Sequence, residues 1–409
     1  MSPSDTFMAR DGLTSAHRAL HLERLFVYGF VMSLPMLDNL SGLMNSQISL
    51  GLRILILIFA MAYVALHRPS FDLISLGFLI AFLAPSALEM RNLAYLSLNL
   101  GYLLKAVYCP ALLLAFLDMK RRGALHASEI EKIVTNSLFI YAIFILIAFT
   151  TGYEIKNYGI GSRGFMIAGN DLGVIFLCAM PIAIKELIRR RTLRSWIVLV
   201  FIIGMSFLML TKASMLASIE GLALTVFWMS RRIGRVRAFG LLVVLVALAV
   251  AGIAFVGPVI QKIIDYNQHI ISTDGVQGFF FRGRLDVLGN SWELFRSGGI
   301  GQILFGKSPA EYQSELGQVM GLPFDLGVEM DLHYILFAWG ILGLSSLSFF
   351  YTFFTAKLIK GEHGFAVLFP LAAIWAHSIF AGHVLLTPVS GTYLALFYTY
   401  HMKGWKWTS

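Results

Sequence analysis

Residues able to do chemistry are concentrated in one polar stretch of an otherwise apolar chain. Between residues 279 and 343 lie the pair Arg282 and Arg284, a glycine-rich turn and His333. Arginine binds phosphate oxygens through paired hydrogen bonds, and a histidine, whose pKa lies near neutrality, can accept a proton from a hydroxyl. The stretch therefore predicts a site for a substrate that carries phosphate and a hydroxyl that must lose its proton.

The composition of the chain indicates its class. Hydrophobic residues make up 57% of the 409 residues and charged residues only 13%, which is typical of a polytopic membrane protein. The net charge of +9 does not indicate nucleic-acid binding, because the basic residues sit in short clusters between apolar runs. Cys109 and Cys178 fall within predicted spans and no metal or nucleotide motif is present, so we predict neither a metal nor a cofactor.

The apolar runs predict an all-α bundle of about twelve membrane-spanning helices. The bundle forms one integral membrane domain over residues 1–409. We place the third span at residues 71–88 and the ninth at 239–257. A long outward loop is predicted at residues 258–332, between the ninth and tenth spans.

The distribution of positive charge predicts the orientation of the bundle. Most of the 32 Lys and Arg residues lie in segments on the same side as the amino terminus. By the positive-inside rule both termini are cytoplasmic and the long loop faces outward. Topology does not explain the basic residues that remain on the outward side, so we interpret them as candidates for function. They are Arg163, Lys212, Arg282, Arg284 and Arg296.

Two ionisable residues, Lys105 and Glu220, fall inside predicted spans. An unpaired charge is costly there, so we expect each to have a partner. The sequence leaves open whether they pair with each other. We interpret His377 and His383 as satisfied polar residues between helices.

The order of short motifs around the long loop resembles a known group. The chain is similar to the O-antigen polymerase and O-antigen ligase superfamily of bacterial envelope glycosyltransferases. The matching motifs are Gly283-Arg284, Trp292, Gly299-Ile300-Gly301, His333-Tyr334, Gly340-Ile341-Leu342-Gly343 and, at the start of the sixth span, Asn170-Asp171-Leu172. The chain departs from the family at Lys212, where an arginine is frequent, and lysine lacks the bidentate fork.

The resemblance implies transfer of a glycan from undecaprenyl pyrophosphate to an acceptor hydroxyl, on the periplasmic face of the bacterial inner membrane and without a metal ion. It implies that Arg284, Arg282 and Lys212 stabilise the departing pyrophosphate. His333 would accept the hydroxyl proton, and Arg163 would bind donor phosphate or sugar. The implied partners are the lipid-linked donor, a glycan or lipid A core acceptor, membrane lipids and a chain-length regulator.

Simpler interpretations of these residues remain open. The two arginines are also suited to anionic lipid headgroups, Lys212 to snorkelling toward the membrane surface, and His333 to capping its own helix. A lipid-linked-oligosaccharide transporter is a different functional class with a similar number of spans. We disfavour it, because a transporter of two related halves should not carry one grossly asymmetric loop.

The charge of the long loop favours one activity within the superfamily. After Lys307 no Lys or Arg occurs up to Leu332. An acidic face would repel the phosphorylated lipid A core and tolerate a neutral sugar. We therefore predict a surface-polysaccharide polymerase, with the O-antigen ligase as the alternative. The acidic residues are Glu311, Glu315, Asp325, Glu329 and Asp331.

Overall fold

The computed structural model is a helical bundle with one small β-hairpin. It describes residues 3–44, 48–67, 75–77, 79–81, 83, 93–153, 156–157, 160–166, 169–233, 240, 261, 265, 268, 272, 284–322, 327–360 and 364–402. Its elements are α1 (Pro3–Leu43), α2 (Ile48–His67), α3 (Leu93–Arg121), α4 (Ala127–Thr151), β1 (Lys156–Asn157), β2 (Ile160–Ser162), α5 (Gly169–Arg190), α6 (Leu193–Leu208), α7 (Lys212–Ile233), α8 (Arg284–Arg296), α9 (Ile300–Phe305), α10 (Pro309–Val319), α11 (Asp331–Lys360), α12 (Phe365–Phe380) and α13 (Pro388–His401).

The membrane class predicted from composition is confirmed. Among the described residues, 5 helices are long and apolar enough to cross a membrane, namely α2, α3, α4, α7 and α11. The apolar helices α6 and α12 are shorter. The total of about twelve spans stays a prediction, and the third and ninth predicted spans, at 71–88 and 239–257, lie largely outside the described residues.

Helix boundaries follow local capping chemistry. The carboxylate of Glu129 accepts a hydrogen bond of 2.9 Å from the His126 backbone amide at the start of α4, and Gly152, with φ +71°, ends that helix. Thr192 caps α6 by accepting from the Ser195 amide at 3.2 Å. These contacts satisfy backbone groups that a helix end leaves without a partner, which is why the elements begin and end where they do.

Helices α5 and α13 form the centre of the bundle. Helix α5 packs against α4, α6, α7, α12 and α13, and every described side chain of α13 except that of Val389 is buried. Gly173 of α5 lies in close contact with the turn before α7, because a Cβ there would lie 2.7 Å from the Thr211 hydroxyl. This contact brings the first turns of α5 and α7 together, and with them Asp171 and Lys212.

One end of the bundle is closed by ion pairs, and we call it the paired end. Arg122, just after α3, lies 2.7 Å from the Glu23 carboxylate of α1. Arg189 of α5 lies 2.7 Å from the Glu131 carboxylate of α4. Asp171 lies 18 residues before Arg189 on the same helix, which places the other end of the bundle about 27 Å away.

The segment predicted as a long loop is largely helical where the structure describes it. Helices α8, α9 and α10 occupy residues 284–319 and pack against α11. Gly306 and Gly340 have φ values of +80° and +68°. A Cβ on Gly306 would lie 2.2 Å from the Ala338 carbonyl oxygen, and one on Gly340 would lie 2.4 Å from that of Leu304. The glycine motifs therefore allow the end of α9 to cross a kink in α11 at backbone contact.

The two intramembrane ionisable residues do not pair with each other. The Lys105 ammonium lies 4.4 Å from the centre of the Tyr102 ring, a cation–π contact. Glu220 is fully buried, and neither of its carboxylate oxygens has a hydrogen-bond partner among the described residues. The expected partner is present for Lys105, whereas the described part of the chain contains none for Glu220.

Candidate functional site

The four described candidate residues lie in different elements. Arg284 begins α8 and donates to the Glu329 carboxylate, with Nε 3.0 Å from Oε2 and a second contact from Nη2. Lys212 begins α7, and Arg163 lies beside β2; both are half-buried. His333 lies half-buried in the first turn of α11. The fifth candidate, Arg282, falls outside the described residues.

Arg284 and Lys212 both lie within electrostatic range of the last turn of α12. The positive charges of both side chains act on the ring of His377, as does that of His383. Helices α7, α8 and α12 are far apart in sequence, so this convergence is a product of the fold. We call the end of the bundle that holds Asp171, Lys212, His377 and His383 the histidine end. In the described part of the chain, no charged side chain acts on His333 in the same way.

The loop after α12 is fixed by a buried carboxylate. Asp331 accepts hydrogen bonds from the backbone amides of His383 (3.0 Å), Val384 (2.9 Å) and Leu385 (3.0 Å). The Ser378 hydroxyl donates a fourth, at 2.9 Å. Successive amides that point at one anion form a concave binding site, here filled by the side chain of Asp331. The loop is therefore held firmly against the first turn of α11.

The backbone conformation of this loop is unusual at two adjacent residues. Gly382 has φ +73°, and a Cβ there would lie 1.5 Å from the Glu329 carbonyl oxygen. Only glycine fits that contact. His383 follows with φ +65°, in a region that non-glycine residues adopt at a cost of about 1–3 kcal/mol. Such strain is frequent at functional sites, and here it sets the direction of the His383 side chain.

His383 forms a dyad with Asp171. Its Nδ1 atom lies 3.0 Å from the Asp171 Oδ1 atom. The other carboxylate oxygen, Oδ2, accepts a hydrogen bond of 2.9 Å from the Thr387 hydroxyl. Asp171 lies in the first turn of α5, where the positive end of the helix dipole stabilises its negative charge. At this distance the ring and the carboxylate form an ion pair when the ring is protonated, and Nε2 is directed elsewhere.

The environment of His383 favours its protonated form. Burial lowers the pKa of His383. The hydrogen bond and charge of Asp171, with the charges of Asp331 and Glu329, raise it by more than burial lowers it. The net result is a pKa above the ordinary value of 6.5. An imidazolium at this position is balanced by three carboxylates, so it can remain charged near neutral pH.

Buried imidazole nitrogens without a described hydrogen-bond partner occur at this end of the bundle. The His383 side chain is 32% exposed, yet its Nε2 atom is buried and has no hydrogen-bond partner among the described residues. The same holds, within the described residues, for Nε2 of His377 and Nδ1 of His333. Our interpretation of His377 and His383 as fully satisfied polar residues therefore does not fit these atoms. A buried nitrogen without a partner costs about 1–3 kcal/mol, which suits a site that a ligand completes.

The acidic residues of the insert are mostly compensated. Glu315 pairs with Lys307, at 2.5 Å, and Glu329 pairs with Arg284. Asp331 is buried in its nest of amides. These carboxylates therefore do not leave an uncompensated acidic face, because neighbouring cations and backbone amides bind them. Asp325 falls outside the described residues.

In the described residues, no group of three or more His, Cys, Asp or Glu side chains could hold a metal ion. What the histidine end offers is two cations, a carboxylate-bound histidine and a second buried imidazole. Cations of this kind bind phosphate, and the imidazoles exchange protons. The sequence contained a weak signal for the dyad in Gly382-His383 and Asn170-Asp171, but it gave no indication that these two segments meet.

Comparison with known proteins supports the class assigned from sequence. A family model described as O-antigen ligase like membrane protein matches residues 22–277. The match covers more than half of the chain and includes Asp171 and Lys212, but it ends before α8 begins at Arg284. No curated protein matches the chain. The chain is thus a member of the O-antigen ligase like membrane protein family.

Proposed function

We propose that this protein transfers a glycan from a polyprenyl-pyrophosphate donor to an acceptor hydroxyl at the histidine end of the bundle. Membership of a family of O-antigen ligase like membrane proteins supports the class of reaction. The observation that carries the proposal is that Arg284 and Lys212, from two different helices, both lie within electrostatic range of His377. Two cations beside buried imidazoles form a site suited to a pyrophosphate and to proton exchange.

The role of the cations follows from the charge that develops in the reaction. When the bond between the anomeric carbon and the phosphate oxygen breaks, its electron pair remains with the pyrophosphate. Arg284 and Lys212 stabilise that charge in place of a metal ion. Arg163 and Arg282 complete the proposed set of phosphate or sugar contacts. Arg284 is held by Glu329, which is 49% exposed, so the arginine can exchange this carboxylate for a phosphate without leaving a buried charge unpaired.

The acceptor hydroxyl loses its proton as the new glycosidic bond forms. His333 is the proposed proton acceptor, because its Nδ1 atom is buried without a partner among the described residues. No described charged side chain acts on it. A neutral imidazole is what general-base catalysis requires. His333 would thus accept the proton of the acceptor hydroxyl, while the cations of the histidine end would bind the pyrophosphate of the donor.

Within this class we propose the repeat-unit polymerase of a surface polysaccharide. Each basic residue in the described part of the insert is engaged. Arg284 pairs with Glu329, Lys307 pairs with Glu315, and Arg296 lies 5.7 Å from the centre of the Trp292 ring. A ligase must bind the phosphorylated lipid A core and so needs positive charge on its acceptor side beyond the arginine that serves the donor, and both other described basic residues of the insert, Lys307 and Arg296, are engaged.

The ligase is the second candidate, favoured by the description of the matching family. Deletion of the gene distinguishes the two. A polymerase deletion should leave single repeat units with no long chains. Full-length chains that accumulate on the polyprenyl pyrophosphate, with none on the lipid A core, would identify the ligase instead.

We propose that the histidine end faces the periplasm and that both termini are cytoplasmic. Cysteine replacements test this, because native Cys109 and Cys178 are buried. Ser297 and His67 are exposed; Ser297 follows α8 in the predicted outward insert, and His67 belongs to the paired end. Ser297→Cys should react with an impermeant thiol reagent added to intact cells, whereas His67→Cys should not. The opposite labelling pattern would place the site in the cytoplasm and exclude the proposed orientation.

A further inference from the structure

We infer that His383, held by Asp171, protonates the phosphate oxygen that leaves the sugar. The inference rests on the proposed function and assigns the donor half of that reaction. Three observations carry it: the dyad geometry, the buried Nε2 atom without a described partner, and the neighbouring ring of His377, on which His383, Arg284 and Lys212 all act. None of them involves His333.

The orientation of the His383 ring is fixed by contacts to the ring and to its loop. Nδ1 lies 3.0 Å from Asp171 Oδ1, and the Thr387 hydroxyl holds the second carboxylate oxygen at 2.9 Å. The loop itself is fixed by Asp331 through three amides. A histidine bound through Nδ1 and set on a rigid loop presents Nε2 in one direction, which is the arrangement that proton transfer requires.

The second step is the surroundings of that nitrogen. His383 and the cations Arg284 and Lys212 all act electrostatically on His377, so they border the same region. Arg284, Lys212 and a protonated His383 give this region three cationic groups, which suit the binding of a pyrophosphate. The groups that act on His383 or on its neighbour His377, from every packed element, are Asp171 of α5, Asp331 of α11, Glu329 before α11, His377 of α12, Lys212 of α7 and Arg284 of α8.

The third step is the proton balance. As the anomeric carbon–oxygen bond breaks, its electron pair passes to the phosphate oxygen, and the Nε2 proton of the His383 imidazolium follows to that oxygen. The acceptor hydroxyl gives its proton to His333 as the new carbon–oxygen bond forms. The second ionisation of a phosphate monoester lies near pH 6, so transfer from an imidazolium is close to balanced. His333 then releases its proton to water, and His383 takes one back.

The direction of the pH dependence follows from these roles. A proton donor is active below its own pKa and a proton acceptor above its own, so the two histidines together give a bell-shaped profile. The carboxylates around His383 raise its pKa above 6.5, which extends activity to higher pH. Asp171→Asn removes the first of the raising contributions, so the alkaline limb of the profile should move to lower pH.

The experiment measures the pH profile of glycan transfer by purified protein in liposomes with lipid-linked oligosaccharide as donor. The variants are His383→Asn, Asp171→Asn and the matched control His67→Gln at the paired end. Asparagine tolerates the positive φ of residue 383 better than most non-glycine residues, so this variant keeps the loop. Thermal unfolding in detergent confirms that each variant is folded.

We expect His383→Asn to lower the rate about 100-fold or more and to remove the alkaline limb. Asp171→Asn should lower the rate less and shift that limb to lower pH, and His67→Gln should leave the profile unchanged. Asp171 is a positioning residue, and a purely structural role would lower the rate without moving the limb. Wild-type rate and limb in His383→Asn would overturn the inference while leaving the proposed function intact. A wild-type protein that transfers no glycan would instead overturn the proposed function.

Discussion

The two ends of the bundle differ in the partners of their charged side chains. At the paired end, charged side chains meet one another, as Arg122 meets Glu23 and Arg189 meets Glu131. At the histidine end, Asp331 is bound by backbone amides and Asp171 by His383 and Thr387. Asp331 and Asp171 thus fix a loop and a ring, while the Nε2 atoms of His377 and His383 have no hydrogen-bond partner among the described residues.

This difference separates stability from function. Ion pairs that are partly exposed contribute little, about 0–1 kcal/mol each, but removal of one partner of a buried group costs more. A buried ring nitrogen without a hydrogen-bond partner destabilises the folded protein, and a bound ligand or substrate that supplies the partner removes this destabilisation. We therefore expect substitutions at the histidine end to affect catalysis more than folding, and substitutions at the paired end to do the reverse.

The largest expected effect is that of His333→Ala. Loss of a general base lowers the rate of glycan transfer by about two to four orders of magnitude, while the half-buried side chain contributes little to packing. The measurement is the initial rate of transfer by reconstituted protein, with membrane insertion as the control. A near-wild-type rate would remove His333 from the proposed mechanism.

Arg284→Ala should have the next largest effect. One stabilised charge in a site of low dielectric is worth about two to three orders of magnitude in rate. Arg284→Lys should be intermediate if the arginine binds phosphate through its fork, and close to wild type if it acts only as a point charge. Rates for the three proteins, measured at saturating donor, decide between these cases. An unaffected Arg284→Ala variant would contradict the proposed phosphate site.

Arg122→Ala tests the paired end as a matched arginine substitution. It removes the partner of Glu23 and of the buried Asp118, whose Oδ2 atom lies 3.1 Å from Arg122 Nε. We expect the free energy of unfolding to fall by about 1–3 kcal/mol and the rate of transfer by the folded protein to stay unchanged. Loss of activity without loss of stability would show that the two ends are not separable.

The smallest expected effect is that of Glu329→Gln. Glu329 competes with the donor for Arg284, and an exposed ion pair of this kind is worth about 0–1 kcal/mol. Its removal should lower KM for the lipid-linked donor by up to about fivefold, with kcat little changed. An increase in KM would show that Glu329 positions Arg284 for the substrate.

The sequence was sufficient for the features that depend on local pattern. Composition indicates a helical membrane protein, and the unexplained basic residues included Arg284 and Lys212, which the fold brings to one region. The family resemblance also identified Gly340 as part of a motif, close to which the fold brings Gly306. It could not show that these two glycines face each other, because their close approach depends on how α9 packs against α11.

The rest depended on contacts between segments distant in sequence. The partner of His383 is Asp171, on a helix more than two hundred residues earlier, and no local pattern links them. The acidic residues of the insert suggested a repulsive surface, but Glu315 lies against Lys307 and Glu329 against Arg284. Net charge is visible in a sequence, whereas its compensation by neighbouring groups is a property of the fold.

The most direct test of the central claim follows one labelled donor through wild-type protein in liposomes. We predict that the bond between glycan and pyrophosphate is broken. Free polyprenyl pyrophosphate should then appear together with a glycan joined to a new acceptor. Arg284→Ala in the same vesicles should abolish both products. Movement of the donor across the membrane with its glycan–pyrophosphate bond intact would contradict the account and identify a transporter.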